Sequence, residues 1–177
     1  MGEGRRRSLS PDGSVATRNY LGVMTSVNCS ATAARMIADS FTDEELQNYP
    51  NVDGVVAYTH GTGCGQAASG LGWDFLQATI NGYKGHPNFA GMLMVGLGCE
   101  VNQVAGMLER HDWQQDAAFQ AMTIQDNGGT MATVREGVAR LKEMLPIANQ
   151  VKRETLPASH LKLGLECGGS DAYSGIS

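Results

Sequence analysis

Residues 20–30 read YLGVMTSVNCS, and this stretch decides the class of fold. The apolar run from Tyr20 to Val27 has the length of a buried strand and ends in an Asn-Cys-Ser loop. Ser30 is a residue type that caps helices, and it precedes a helical pattern of apolar residues. That pattern consists of Ala33, Met36, Ile37 and Phe41. A strand that runs through a cysteine loop into a helix is the first unit of an alternating α/β chain.

The same order recurs along the chain. Further strands are predicted at residues 52–58, 91–97, 118–124 and 161–165, with amphipathic helical patterns between them. Alternation of strands and helices implies parallel strands joined by right-handed crossovers. The expected fold class is therefore α/β, with a doubly wound, mostly parallel, Rossmann-like sheet of about five strands and helices on both faces.

Local signals set several helix boundaries. Residues 42–45, Thr-Asp-Glu-Glu, form a capping box that predicts a helical turn. The clearest helix follows Gly129, with an outward pair of Glu136 and Arg140 at the i, i+4 spacing. Its inward positions are Val134, Val138, Leu141 and Leu145. Pro146 is expected to begin the connector after it.

Composition predicts one globular domain. A chain of 177 residues with 42% hydrophobic residues can bury a core. We assign residues 1–18 to an N-terminal arm and residues 19–177 to an α/β domain. The glycine-rich loop after the last strand should lead into a helix, yet the sequence stops at Ser177, which indicates a piece of a longer catalytic region.

Charge and hydropathy exclude several classes of protein. The net charge of −5 argues against a nucleic-acid surface, because the only basic run is Arg5 to Arg7. No apolar stretch approaches the roughly 20 residues of a membrane span, and no signal peptide is evident. We therefore expect a cytoplasmic protein.

All four cysteines fall in glycine-rich loops that follow predicted strands. They are Cys29, Cys64, Cys99 and Cys167. A single cysteine after a strand is usually a small buried apolar residue. Four cysteines at one sheet edge instead indicate a ligand-binding or catalytic site, because parallel sheets bind ligands at the carboxyl ends of their strands. Together with His60 they have the soft-ligand character of an iron, zinc or iron–sulfur site. The absence of a CxxC pair disfavours structural zinc.

Several motifs at these loops resemble one family. They are DGSVATRNY at 12–20, VNCS at 27–30, THGTGC at 59–64, HPN at 86–88, VGLGCE at 95–100 and LGLECGGSD at 163–171. The chain resembles the altronate/galactarate dehydratases over residues 11–177. The resemblance implies a hydro-lyase that converts a sugar acid to a 2-keto-3-deoxy acid with the help of iron (Fe²⁺), with Mn²⁺ as a substitute. The family also includes a sulfolactate sulfo-lyase, an alternative reaction.

Residue roles follow as hypotheses. Elimination next to a carboxylate needs a base, and His60 and Glu100 are the catalytic candidates. His60 would act as general base or acid, or else as a metal ligand, and Glu100, like Glu166, could bind the metal or orient a histidine. Candidate metal ligands are Cys64, Cys99, Cys167, Cys29 and Glu166. Candidate substrate-binding residues are Arg18, Asn19, Asn28, Gln125 and Thr130. The expected partners are a small-molecule sugar acid, the C-terminal part of the same enzyme and a second copy in a homodimer.

Two other functions remain open from the sequence. One is an iron–sulfur dehydratase in which three of the cysteines hold a cluster. The other is a non-catalytic module that binds a sugar acid or assists assembly within a larger enzyme.

Overall fold

The sheet of this protein contains four parallel strands. A computed structural model describes residues 3–4, 15–160 and 163–164. The strands are β1 (Tyr20–Thr25), β2 (Gly54–Tyr58), β3 (Phe89–Gly96) and β4 (Phe119–Thr123). The helices are α1 (Ala31–Asp39), α2 (Asp43–Leu46), α3 (Leu71–Lys84), α4 (Val104–Arg110) and α5 (Thr130–Ala148). Short 3-10 turns span Asn28–Ser30 and Ala158–His160, and Glu3–Gly4 pairs antiparallel with Glu154–Thr155.

The strand order is β2-β1-β3-β4, and every neighbouring pair is parallel. In this order the chain moves outward from β1 in one direction to β2 and in the other direction to β3. The crevice between the carboxyl ends of β1 and β3 is therefore the topological switch point, where such sheets bind ligands. The predicted fold class is confirmed. Of the predicted fifth strand at 161–165, the structure describes only Leu163 and Gly164, and they lie in no regular element.

Alternate side chains of the central strands enter two separate cores. Leu21 and Val23 of β1 pack with α1 and α5, whereas Met24 enters the opposite cluster with α3 and α4. In β3, Leu93 belongs to the first cluster and Met94 to the second. This alternation is the period of two that a strand imposes on its side chains, and it explains why β1 and β3 are apolar throughout.

Two predictions about helix ends need correction, and one is confirmed. Thr42 caps α2 by accepting a hydrogen bond from the Glu45 amide. Ser30 precedes α1 but makes no side-chain cap, because its buried hydroxyl has the carbonyl oxygens of Val27 and Val95 within 2.9 Å and 2.7 Å and gives its one proton to this pair. Pro146 lies inside α5 instead of starting the connector, and the helix continues to Ala148.

None of the helices in the described ranges has both the length and the apolar character that a membrane span requires.

Candidate functional site

Three loops meet at the carboxyl edge of the sheet. The loop after β2 lies between the loops after β1 and β3, because hydrogen bonds tie it to each of them. The amide of Asn28 donates to the carbonyl of Thr62 at 2.9 Å. On the other side, the amide of Asn102 donates to Gly63 O at 3.1 Å and that of Val101 to Cys64 O at 3.4 Å. These bonds place the loops that carry three of the four cysteines side by side.

Close approach of the loops depends on Gly63. Its φ of +97° lies in a region that L side chains rarely adopt. A Cβ at this position would overlap the carbonyl oxygen of Ser26 and lie 2.9 Å from the Cα of Val27. The absence of a side chain therefore lets the loop after β2 pack directly on the end of β1.

The three thiols of these loops are free and exposed. They belong to Cys29, Cys64 and Cys99. Local loss of water raises the pKa of the Cys29 thiol, and the neighbouring Cys64 thiol, which hydrogen-bonds with it, raises the pKa further. A smaller upward effect on this pKa comes from Cys99. The thiols of Cys64 and Cys99, on two other loops, therefore lie close enough to Cys29 to affect its pKa.

His60 is held in one orientation at the start of the loop after β2. Its Nδ1 accepts a hydrogen bond from the Thr62 amide at 3.3 Å and lies 3.0 Å from the Thr62 hydroxyl. Its Nε2 lies 3.1 Å from the carbonyl of Thr25, which can only accept, so the ring proton belongs on Nε2. Burial lowers the pKa of His60 and outweighs the opposite effect of the Thr25 hydrogen bond. The imidazole is therefore neutral near pH 7.

Glu100 lies buried at the switch point with both carboxylate oxygens occupied. The Ser26 hydroxyl, at the end of β1, donates to Oε1 at 2.6 Å, and the amide of Leu97 donates to the same oxygen at 3.1 Å. The amide of Gly98 donates to Oε2 at 2.5 Å. This carboxylate clamps the Cys99 loop against β1.

Loss of the Ser26 hydroxyl tests this clamp. We expect Ser26→Ala to lower the free energy of unfolding by about 2 kcal/mol, because a buried hydrogen bond to a charged group is lost. The matched control is Ser40→Ala, whose exposed hydroxyl donates only to the Met36 carbonyl. Urea unfolding of both variants gives the difference, and equal losses would contradict the role of the clamp.

Sequence reasoning missed the buried polar network beneath the loops. Asn102 donates from Nδ2 to the Ser26 carbonyl at 2.9 Å and accepts from Gln77 Nε2 at 2.6 Å. The Oε1 of Gln77 lies 3.1 Å from Nε2 of His111. The signal available in the sequence was a polar residue at the end of a predicted strand or in the loop after one, as at Ser26 within the run 20–27 and Asn102 after Gly98-Cys99-Glu100-Val101.

Three of the predicted substrate-binding residues lie at the same edge of the sheet. Asn28 is exposed in the loop after β1, where its Oδ1 lies 3.6 Å from Cys29 Sγ. Gln125 is exposed after β4, and its side chain occupies the space that a Cβ on Gly98 would fill. Thr130 is the exposed first residue of α5. Their roles toward a substrate stay predictions.

Arg18 and Asn19 lie at the opposite edge, just before the amino end of β1. Arg18 is exposed, whereas Asn19 is buried. The Asn19 side chain donates to the carbonyls of Asn51 at 2.7 Å and Ala148 at 2.8 Å. The structure therefore does not bring these two residues together with the cysteine loops, and it gives Asn19 a structural contact between α5 and the approach to β2. Their predicted substrate contact remains a prediction.

Substitution of Asn19 should affect stability. We expect Asn19→Ala to lower the free energy of unfolding by about 2 kcal/mol, because two donated hydrogen bonds in a buried position are lost. The exposed neighbour provides the control, since Arg18→Ala should change stability by about 0.5 kcal/mol or less. Thermal and urea unfolding measure both, and an unchanged Asn19→Ala midpoint would contradict the assignment.

The predicted metal ligands form an incomplete set in the described part of the chain. Glu166 and Cys167 lie outside the described residues. Among residues 15–160, no three His, Cys, Asp or Glu side chains are grouped closely enough to hold a metal ion. Both oxygens of Glu100 accept hydrogen bonds, and the ring nitrogens of His60 lie within hydrogen-bond distance of Thr25 and Thr62.

The fold and the site define a class of protein. It is a doubly wound α/β domain whose switch point is lined by thiols, a neutral histidine and loop amides, an arrangement suited to a small polar ligand. Residues 9–149 match the family described as D-galactarate dehydratase/Altronate hydrolase, second domain. The chain belongs to this family.

Curated relatives extend the comparison. The chain is 36% identical to an altronate dehydratase of Bacillus subtilis over 169 residues and 34% identical to an altronate dehydratase of Escherichia coli over 168 residues. It is 38% identical to a galactarate dehydratase (L-threo-forming) of Escherichia coli over 172 residues. Each match covers 94% of this chain and 32% or 33% of the relative. The chain thus spans about a third of the length of the curated relatives that it matches.

Proposed function

We propose that the protein is a hydro-lyase that dehydrates a sugar acid of the altronate or galactarate type to a 2-keto-3-deoxy acid. The observation that carries this proposal is the alignment of 94% of the chain with altronate and galactarate dehydratases. The polar loops at the switch point support it, because the sheet edge that binds ligands in this fold is the edge where they meet. The remaining part of such an enzyme is the expected partner of this region.

The reaction sets two chemical requirements. The proton next to the carboxylate is weakly acidic, so a base must be positioned against it. The hydroxyl on the next carbon is a poor leaving group and departs as water only when it is protonated or bound to a cation. The net charge of −5 repels an acidic substrate, so fixed donors at the site must offset it.

His60 is the base in this proposal. Its Nε2 proton is committed to the Thr25 carbonyl, which leaves Nδ1 as the nitrogen that takes up a proton. The lowered pKa supports this role, because it keeps the imidazole in its neutral form near pH 7. The exposed Thr62 hydroxyl lies 3.0 Å from Nδ1, so a substrate reaches Nδ1 by displacing this hydroxyl or through it.

Glu100 is a positioning residue in this proposal. A carboxylate that already accepts from Ser26, Leu97 and Gly98 has no free oxygen to remove a proton. Its contribution is to hold the Gly98–Cys99 turn against β1.

The exposed side chains of Asn28, Gln125 and Thr130 are the proposed contacts for substrate hydroxyls. Each carries a donor and an acceptor, which suits an alcohol group. The first turn of α5, which starts at Thr130, presents backbone amides toward which a carboxylate would be attracted. The cytoplasm is the proposed compartment, because reduced thiols persist there and the three described cysteines are unpaired.

A product assay tests the proposal. Purified protein is incubated anaerobically with Fe²⁺ and with altronate, galactarate or sulfolactate in turn, and 2-keto-3-deoxy acid and sulfite are measured. We expect a 2-keto-3-deoxy acid from a hexonate or hexarate. Binding of these acids in calorimetry without any product, even after addition of the remaining part of a related dehydratase, would contradict catalysis and favour the binding-module alternative. Sulfite release would favour the sulfo-lyase.

A further inference from the structure

One arginine side chain reaches the loop that carries the candidate base. Arg35 lies in α1, and its Nη2 donates a hydrogen bond to the Thr59 hydroxyl at 2.9 Å. Thr59 directly precedes His60 in the chain. The guanidinium group is therefore held beside the loop in which, under the proposed function, a sugar acid loses its proton.

The direction of this side chain follows from the place of α1 in the fold. The amino end of α1 follows the carboxyl end of β1, and Arg35 is the fifth residue of the helix. It lies about 6 Å along the helix axis from the first residue. Side chains of a helix point back toward its amino end, so that of Arg35 is directed at the carboxyl edge of the sheet. Ala34 and Ile37 bury another face of α1 in a core cluster against which Val55 of β2 packs, and this contact fixes the helix beside β2.

Most of the hydrogen-bonding capacity of this guanidinium is unused. An arginine carries five N–H donors, and the contact with Thr59 uses one of them. No carboxylate within the described ranges pairs with Arg35, and its side chain is exposed. A planar cation with free donors is suited to a carboxylate, to which it can donate two parallel hydrogen bonds.

The other cations of residues 15–160 are less suitable. Besides Arg35, this part of the chain contains eight arginine and lysine residues, and five of them already contact a carboxylate or an aromatic ring. These five are Lys84, Arg110, Arg140, Lys142 and Arg153. Arg18 lies at the amino edge of the sheet, and Lys152 follows the carboxyl end of α5. Arg135 belongs to α5, which begins after β4, and two central strands separate β4 from β2.

We propose that Arg35 binds the substrate carboxylate next to the carbon that loses its proton, and so selects acids over neutral sugars. The inference deepens the proposed dehydratase function and rests on it for the identity of the acid. Two hydrogen bonds from a cation fix the position of the carboxylate, and they offset the net charge of −5 that repels an acidic substrate. The same cation stabilises the negative charge that develops on the carboxylate oxygens as the proton leaves.

Calorimetric titration of the full chain with altronate, galactarate and the neutral polyol altritol tests the proposal. We expect Arg35→Ala to weaken binding of both acids by about 10- to 100-fold, because charge-assisted hydrogen bonds are lost, and to leave the weaker binding of altritol unchanged. Arg35→Lys keeps the charge but loses the planar pair of donors, so it should lose part of the affinity. Lys152→Ala removes the same charge from an exposed position after α5 and is the matched control, which should bind the acids as the wild type does.

Chemical modification provides a second measurement without a substitution. Phenylglyoxal reacts with exposed arginine side chains, and peptide mass spectrometry locates the modified residues. Altronate should protect Arg35 from this reaction, and altritol should not. Protection of Arg18 or Arg135 in place of Arg35 would assign the carboxylate to a different residue and overturn the proposal. Circular dichroism of each variant establishes that it is folded.

Three titration results would also overturn the proposal. They are acid binding that survives Arg35→Ala, an equal loss for altritol or in Lys152→Ala, and no acid binding by the wild-type chain. Product formation is assayed separately, so the two failures are distinguishable. Binding that depends on Arg35 without product contradicts the dehydratase and leaves the carboxylate site. Product formed by Arg35→Ala with an unchanged KM overturns the carboxylate site and leaves the dehydratase.

Discussion

His60→Ala is expected to lower kcat for sugar-acid dehydration by about 10²- to 10⁴-fold, the usual contribution of a general base. The physical reason is that Nδ1 is the only ring nitrogen with a lone pair directed away from a backbone carbonyl, and the lowered pKa keeps it unprotonated. Product formation under saturating substrate measures the effect. His160→Ala, which removes an exposed histidine in the connector after α5, is the control and should leave kcat unchanged.

The pH profile gives an independent check on His60. Because burial lowers its pKa below the ordinary value of 6.5, the neutral base is present above that pKa and is lost as the pH falls through it. The acid limb of kcat/KM should therefore lie below pH 6.5 and disappear in His60→Ala. An acid limb that survives the substitution would show that another group removes the proton.

Gly63→Ala is the substitution with the second largest expected effect. We expect it to lower the free energy of unfolding by about 3 kcal/mol, since the φ of +97° is strained for alanine and the new Cβ meets the backbone at Ser26 and Val27. Backbone atoms at the end of a central strand cannot move aside without disturbing β1. Urea unfolding followed by circular dichroism measures the loss.

The neighbouring glycines provide controls within the same loop. A Cβ on Gly61 or on Gly65 meets no atom within 4 Å. Gly61→Ala and Gly65→Ala should therefore change stability by about 0.5 kcal/mol or less. Equal losses in all three variants would show that the loop responds to any side chain, and that close packing of Gly63 on β1 is not the cause. Loss of activity in Gly63→Ala alone would link the packing to the site.

The contact between Ser26 and Glu100 could not be predicted from local sequence pattern. In the sequence, Glu100 is a carboxylate next to Cys99, and on that basis we predicted a catalytic role for it. Its commitment to the Ser26 hydroxyl depends on a residue 74 positions earlier, at the end of a neighbouring strand. Such a contact depends on strand order, which short-range periodicity does not contain.

Asn19 illustrates the same limit at the other edge of the sheet. Its position just before β1 was evident from the apolar run that follows it. Its side chain, however, donates to the carbonyl of Ala148, which lies 129 positions away at the end of α5. A sequence motif identifies the residue type and its place near the strand, whereas only the folded chain shows that the amide bonds to backbone.

The sequence by itself determined the first strand at residues 20–27, the cysteine loop that follows it and the helix after that loop. Apolar runs, glycines and spacing are local properties, and they also predicted the parallel sheet and the edge at which the thiols lie. Only the tertiary structure decided that the loop after β2 lies between its two neighbours, that Glu100 and His60 have hydrogen-bond partners, and that the three described thiols are exposed and form no disulfide. The physical reason is that hydrogen-bond partners and shared burial arise between segments distant in sequence, after strand order has brought them together.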